Sequence, residues 1–567
     1  MNKFTFLLLC YLVLCCVNIN AQGWQWGLGS SNPGGECYPA AAATDHSGNF
    51  YIIANVFPVP TGSTFTSNYG TLPLTDTGGL SQMAIIKTNS EGNYKWVIGT
   101  QGTYVSPVDM TTDESGNVYV LGTYSIGPMR LGSSVLTDST GGEVYFIAKS
   151  DSNGSVLWAR NIGPGNYSPP SLRKACGLRT DNQGNIYVSG MYSGDSIRIG
   201  TTTLTNASPG TTDIFVAKFN TGGTPLWAKS IGGVKMDYVN NIAVSSGGEV
   251  YISGNFSSPS IVFGGTTFTT ALDAQYIFKF DSLGNELWGR TAQSTDSNDV
   301  IFGVTTDISG NIYFSGTLYS DSLSFGGIKM IKSGDSNPFI VKYNHNGAIL
   351  WAHNATGGAY YNYGFSIAVD SCENAWVCGQ VQDNINFGGR TIYKPSYLTD
   401  VMFIADFNTA GDCIADTTLP VLNTFWSFIA IGNNGSLYAA TSYQADSLIL
   451  GSDTLYSATG TNSLLAGKYN YTGASCISLA VAGSVEAANY NLFPNPATTD
   501  FTIHSETPFP PASKEELYNL VGRLINTYPL TGNNTVISTA NIPPGMYQCR
   551  IFAGGNNPVT KKLVIMK

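Results

Sequence analysis

Charge and histidine are what this sequence has least of. Only 11% of its 567 residues are Asp, Glu, Lys or Arg, and 4 are histidine; roughly 25% charged residues would be ordinary. So few charges exclude a coiled coil, a helical bundle with charged faces and an acidic disordered chain. The formal net charge is −10, which denies a nucleic-acid surface its electrostatic driving force, so no nucleic-acid partner is expected. Long apolar runs are missing too. After Val17 no stretch approaches the ~20 residues of a membrane span, and no integral membrane segment is expected. Catalytic signatures are likewise absent: there is no H-E-x-x-H, no Walker loop and no G-x-S-x-G. Ser171-Leu-Arg-Lys174 fits S-x-x-K without its companion motifs. No catalytic, cofactor-binding or metal-ligating residue is therefore assigned.

What is present is glycine, 65 residues, and aromatic side chains, 12% of the chain. That mixture predicts many short strands joined by tight turns. The length predicts two or three folded units. Residues 1–21 order a single Lys3, an apolar run from Phe4 to Val17 and a small residue at Ala21. This is the pattern of a secretory signal peptide, with cleavage expected near Ala21. Cys15 and Cys16 raise a lipoprotein alternative, against which the residues before them argue. Cleavage would leave Cys37, Cys176, Cys372, Cys378, Cys413, Cys476 and Cys549, an odd set without C-x-x-C that reads as scattered buried thiols.

One phrase recurs through the middle of the chain. It runs Asp45-His-Ser-Gly-Asn-Phe-Tyr51 and returns at Asp113–Tyr119, Asp181–Tyr187 and Asp307–Tyr313, with degenerate copies at Ser245–Tyr251, Asp370–Trp376 and Gly432–Tyr438. A second phrase alternates with it, as in Lys149-Ser-Asp-Ser-Asn-Gly…Leu157-Trp158, and also occurs seven times. Each reads as a hairpin turn: an Asp or Asn oxygen accepts from backbone N–H groups, and Gly supplies positive φ. The flanks alternate apolar and polar at a strand period. Two hairpins per unit give four strands, with the remaining length expected in loops between the hairpins. Seven four-stranded units predict an all-β, seven-bladed β-propeller. The N-terminal Gly23-Trp-Gln-Trp26-Gly-Leu28 resembles an outer strand and is expected to close the last blade, the alternative being Ser475–Val481.

The alternation of D-x-x-G-N-x-Y-V-x-G with F-V-A-K-x-D-x-x-G-x-x-L-W-A, with Phe-Gly-Gly between at 263–265, 325–327 and 387–389, resembles the bacterial propeller repeat called SBBP over about residues 22–483. That family implies the fold and no agreed activity. From 484 to 567 the pattern changes to a linker and a small all-β unit of β-sandwich size. Residues 488–567 hold six Lys/Arg against four Asp/Glu. Phe493-Pro-Asn-Pro496, Tyr518-Asn-Leu-Val-Gly-Arg523, Pro543-Pro-Gly-Met-Tyr547 and the Lys-ending last strand are similar to the type A C-terminal sorting domain of the type IX secretion system. The resemblance implies a Bacteroidota-type source, handling by the type IX machinery through residues 488–567, and a secreted or outer-surface location.

The repeated residues take structural roles in this reading. Asp45, Asp113, Asp181 and Asp307 cap turns. Calcium is the one cofactor such turns could take, but none matches D-x-[DN]-x-[DN]-G and one carboxylate per turn is thin coordination. Lys149, Lys218, Lys279, Lys342 and Lys468 are expected along solvated edges. Trp96, Trp158, Trp227, Trp288 and Trp351 are expected between blades. His353 is a loose catalytic candidate without a partner. Asp195-Ser-Ile197, Asp281-Ser-Leu283, Asp321-Ser-Leu323 and Asp446-Ser-Leu448 resemble O-glycosylation acceptors, and a hairpin-edge preference explains them equally well. The expected function is a non-enzymatic binding or adhesion module for extracellular glycan or protein, at the face carrying the Phe57–Pro60 and Lys394–Thr399 loops. The alternatives are a polysaccharide hydrolase or lyase with acids from different blades converging at the centre, and a spacer.

Overall fold

In a computed structural model, residues 23–566 are described apart from 60, 77–79, 126, 139–141, 165–175, 296–298, 397, 420–425, 433–434, 445–447, 452, 458–460, 472–489, 506–507, 511–512, 520–523 and 553–558. The leader and its cleavage site, Ser171–Lys174, Ser475–Val481 and Asp446-Ser447 lie outside the described residues. Every regular element of the described residues is a β-strand, as the composition implies. The chain divides into two compact units, Met1–Cys476 and Ile477–Lys567.

Among the described residues, the first unit shows seven antiparallel sheets with four strands each at their centre. Their inner strands are Gly35–Thr44, Tyr104–Thr112, Gly177–Thr180, Asp237–Val244, Val300–Thr306, Asn362–Val369 and Phe428–Ile431. Each inner strand contacts the next, and Phe428–Ile431 contacts Gly35–Thr44, so the order of contacts is cyclic. Seven separate cores follow from this, one between each pair of neighbouring sheets. With cores on both sides, second and third strands are buried at nearly every position, and at all of them in Ile186–Tyr192 and Ile312–Leu318.

The last sheet is completed from the other end of the chain. Gly23–Ser31 pairs antiparallel with Ser463–Asn470, from Gly23 opposite Asn470 to Gly29 opposite Leu465. Trp26 is buried there, 6.1 Å from the Tyr438 ring.

The length expected in loops forms a third hairpin in each unit, such as Ser260–Phe263 with Thr266–Thr269. At its tip Gly264 and Gly265 have φ of 57° and 73°, the two successive positive values of a type I′ turn. Three of these hairpins pair with the outer strand of the preceding sheet. Phe65–Tyr69 pairs with Gly23–Ser31, Met129–Leu131 with Tyr94–Gln101, and Ser322–Phe325 with Glu286–Ser294. They cover edges that would otherwise present unpaired backbone.

The glycine ending N-x-Y-V-x-G has a packing reason. A Cβ at Gly316 would overlap the Val300 carbonyl oxygen and lie 2.6 Å from the Phe339 ring. Gly316→Ala is therefore expected to cost at least about 2 kcal/mol, because neither the backbone nor the ring can retreat in a packed core. Urea unfolding of the variant checks this, and a loss below about 0.5 kcal/mol would refute it.

The second unit has a three-stranded sheet, Tyr490–Phe493, Asp500–Ser505 and Asn534–Ser538, and a four-stranded sheet, Leu524–Pro529, Lys514–Asn519, Gly545–Phe552 and Val559–Ile565. The two share one core of Phe501, Ile503, Leu517, Ile537, Ile551 and Leu563.

The cysteine reading needs one correction. Cys37, Cys176, Cys378, Cys413 and Cys549 are free thiols, but Cys372 is disulfide-bonded. Burial raises the Cys37 thiol to about 11, so it is an inert thiol at neutral pH.

Candidate functional site

The repeated Asp builds a turn, as its position predicts. Asp45 Oδ1 accepts from the Ser47 and Asn49 amides, at 2.9 and 3.0 Å, and its Oδ2 accepts from Asn49 Nδ2 and Tyr51 Oη, both at 2.7 Å. Asp113, Asp181 and Asp307 repeat the pattern. In the fourth unit Ser245 replaces the Asp, and Glu249 supplies the carboxylate to Tyr251 at 3.1 Å and to Lys279 at 2.8 Å.

The lysines are not on solvated edges. They lie on third strands, inside each sheet, and Lys149, Lys279 and Lys342 are buried. Lys342 Nζ sits 4.6 Å from the Tyr313 ring centre and 3.8 Å from Asp307. Lys87 Nζ also donates to the Ser152 carbonyl of the next sheet at 2.8 Å. The lysine pins neighbouring sheets together and does not serve as an edge guard. The tryptophans pack between sheets: Trp96 Nε1 donates to Ser152 O at 3.1 Å, and its ring lies over Gly154. His353 is on an outer strand beside Trp351, and burial lowers its basicity. These repeated elements are structural.

A different set of residues converges at the centre. Because each sheet is antiparallel, both tight turns of a unit lie at one end. The third hairpins and the inter-sheet connections, with Phe57–Val59 and the described residues of the Lys394–Thr399 loop, lie at the other. A cavity of about 260 Å³ runs between the inner strands and takes residues from all seven sheets, among them Ala41, Asp109, Arg179, Asn241, Phe365 and Ile429.

One wall of this cavity is polar. Arg179 Nη1 lies 2.7 Å from Asp109 Oδ2, which also accepts from the Leu178 amide at 2.9 Å. Asn241 Nδ2 donates to the Phe302 carbonyl at 2.9 Å. The facing wall, from the fifth to seventh sheets, is aromatic: Phe302, Phe365 and Trp426 rings meet at 5.5–5.9 Å. Trp426 holds φ at 54°, which costs a bulky residue about 1–3 kcal/mol. From Phe365 an aromatic row runs along the inner strand Asn362–Val369 toward the end that carries the inter-sheet connections. Tyr361, Tyr363 and Phe365 are near-parallel, with centroids 6.2 and 5.7 Å apart and interplanar angles of 4° and 11°. Tyr361 is 47% exposed.

Acids from neighbouring sheets do meet elsewhere, at Asp213 and Asp237. Both are buried, at 1% and 0% exposure. Asp237 is occupied by the Gly233, Ser257 and Ser258 amides and by Ser258 Oγ. Burial, with Asp237 nearby, lifts the Asp213 carboxyl to about 6. This pair holds a connection and offers no surface to a polymer. Among the described residues no group of three or more His, Cys, Asp or Glu is placed to hold a metal ion, and no helix is long and apolar enough to cross a membrane.

The second unit is decided by comparison. Residues 491–566 match the family model described as Secretion system C-terminal sorting domain. A sorting domain of this kind marks a protein for the type IX secretion system and for the cell surface or beyond. The first unit has distant relatives. An uncharacterized WD repeat-containing protein of Acanthamoeba polyphaga mimivirus is 26% identical over 371 residues, 54% of this chain and 26% of its own length. The regulatory protein FlaEY of Caulobacter vibrioides is 29% identical over 192 residues, 33% of this chain and 19% of its own. The chain thus spans about a quarter or less of these relatives.

Among solved structures, PorZ, a surface component of the type IX secretion system of Porphyromonas gingivalis, is 10% identical at TM-score 0.25, over 93% of this chain and 81% of that one. An ulvan lyase is 12% identical at 0.35, over 76% and 96%. A Hadza microbial sialidase is 10% identical at 0.31, over 74% and 91%. All three scores lie below 0.5, so none of these shapes assigns an activity to this chain.

Proposed function

We propose that residues 22–483 are a seven-bladed β-propeller of the SBBP type, delivered by its sorting domain to the cell surface, that binds an extracellular glycan without cleaving it. The observation that carries this reading is the row Tyr361, Tyr363 and Phe365, whose Phe365 end lines the central cavity together with Arg179 and Asn241. Pyranose rings have an apolar face and a polar rim. Flat aromatic rings accept the face, and Arg179 and Asn241 stand where the rim would need partners. A cavity of about 260 Å³ falls just under the range of about 300–1,000 Å³ for small-molecule sites. It suits one terminal ring, with the rest of the chain lying over the exposed Tyr361.

The test is saturable binding of the mature chain to a polysaccharide panel, with product analysis on every hit. Tyr363→Ala and Phe365→Ala are each expected to weaken binding about tenfold, the equivalent of roughly 1.4 kcal/mol per ring, with the ligand recovered intact. Shortened or unsaturated products would replace this reading with that of a polysaccharide-degrading enzyme. Binding unchanged in both variants would remove the site from the cavity.

A further inference from the structure

One sheet reverses the charge of the repeat. In six sheets the third strand places a lysine against the second-strand aromatic: Lys87, Lys149, Lys218, Lys279, Lys342 and Lys468, with Nζ 4.6–5.9 Å from the centres of the Tyr51, Tyr119, Tyr187, Tyr251, Tyr313 and Tyr438 rings. Most of these ammonium groups sit in a nest of oxygens. Lys149, Lys218, Lys279 and Lys342 face a carboxylate at 2.8–3.8 Å. Lys87, Lys218, Lys279 and Lys468 donate to a carbonyl of the next sheet, those of Ser152, Ser282, His345 and Ser90. That carbonyl always belongs to the third residue after the next sheet's own lysine.

In the sixth sheet the register puts Asp406 opposite Trp376, just as it puts Lys342 opposite Tyr313. Asp406 is 1% exposed, and its Oδ1 has no hydrogen-bond partner. The turn carboxylate Asp370 is still present, but its Oδ2 is loosely held, by Asn374 Nδ2 at 3.4 Å, Trp376 Nε1 at 3.3 Å and Tyr471 Oη at 3.3 Å. The corresponding Asn contacts elsewhere are 2.7–2.9 Å. Tyr471, whose ring packs 4.2 Å from that of Trp376, is the third residue after Lys468, the position whose carbonyl accepts from the lysine in the four sheets above. The nest keeps its oxygens and loses its cation.

We infer that a calcium ion occupies the place of the missing ammonium, held by the carboxylates of Asp370 and Asp406 and the carbonyl of Tyr471. Charge selects a divalent ion. One ammonium balances one carboxylate in the second to fifth sheets, and two carboxylates need two positive charges. An irregular set that includes a carbonyl suits calcium, whereas magnesium demands a near-ideal octahedron. Leaving the Asp406 carboxylate ionised and unpaired in the interior would be costly.

The test uses the mature full-length chain in calcium-free buffer. Calcium at a hundredfold over Kd is expected to raise the tryptophan-monitored unfolding midpoint by roughly 3–6 °C over chelator. Terbium luminescence sensitised through Trp376 should appear and be displaced by calcium. Asp406→Lys restores the residue of the other six sheets. It should keep the parent fold and midpoint while losing both responses. An unchanged parent midpoint with calcium, a response to sodium alone, or a calcium response that survives in Asp406→Lys would each overturn the assignment.

Discussion

A chain lacking Gly23–Ser31 is expected to lose the cooperative unfolding of its first unit and to aggregate. The segment supplies the outer strand of the seventh sheet, paired from Gly23 to Gly29 with Ser463–Asn470. Removing it bares a row of backbone donors and acceptors on a long, apolar strand, which is a template for intermolecular pairing. It also empties the place of Trp26, whose ring fills the core between the seventh and first sheets and whose Nε1 donates to Ser90 O at 3.1 Å. Trp26→Ala alone should cost about 3–5 kcal/mol, a large share of the roughly 5–15 kcal/mol by which folded units are stable. The whole strand should cost more than that. Circular dichroism melts and light scattering of the truncated chain would show it. A second variant separates closure from mere chain length. The deleted strand is attached behind Ser463–Asn470 through the turn of residues 281–285, the hairpin arrangement of the other six sheets. That permutant should regain the cooperative melt, and one that stayed unfolded would refute the closure argument.

How much of this could be read in the sequence follows from where the information is local. The Asp-to-Tyr phrase is legible because the turn sits within seven residues and needs an acceptor, a positive φ and a hydroxyl at fixed steps. The sorting domain is legible for a similar reason, through Phe493-Pro-Asn-Pro496. The Phe-Gly-Gly stretches were legible in principle, since two adjacent glycines between alternating strands predict a type I′ hairpin. Lysine was misplaced because a period of two assigns a residue to a face without saying what covers that face. When sheets stack on both sides, neither face is solvent, and a long apolar stem with one buried carboxylate becomes a satisfactory interior residue. The cavity is the least legible feature. Its residues come from seven strands about sixty positions apart, and equivalent places hold Ala41, Asp109, Gly177, Asn241, Gly303, Ser366 and Phe428. The one available signal was negative: Asp109 and Arg179 interrupt strands that the repeat otherwise fills with small or apolar residues.

The lysine pin makes the second large prediction, and one sheet serves as its internal control. Asp307→Ala is expected to destabilise the first unit by about 3–5 kcal/mol, the cost of stranding a buried charge. Asp307 and Lys342 side chains are 0% and 4% exposed. Asp307 also accepts from the Asn311 amide and Nδ2 at 2.8 Å and from Tyr313 Oη at 3.1 Å, so the turn loosens as the charge is orphaned. Asp307→Asn separates the two contributions. It retains an acceptor for the turn but not the charge, and should lose less than Asp307→Ala. Adding Lys342→Met to Asp307→Asn should recover most of that loss, because removing both charges leaves no buried ion to solvate. The seventh sheet runs the opposite case. There Gly432 supplies no carboxylate, burial lowers the basicity of Lys468, and its Nζ donates to the Ser90 carbonyl at a long 3.5 Å. Lys468→Met should therefore change stability by no more than about 1 kcal/mol. Urea unfolding of these four variants and of Lys342→Met alone decides between a charge pin and simple filling of space: if Asp307→Ala falls within about 1 kcal/mol of the parent, or if Lys468→Met costs as much as Lys342→Met, the sheets are held by their aromatic cores and the ion pairs are incidental to them.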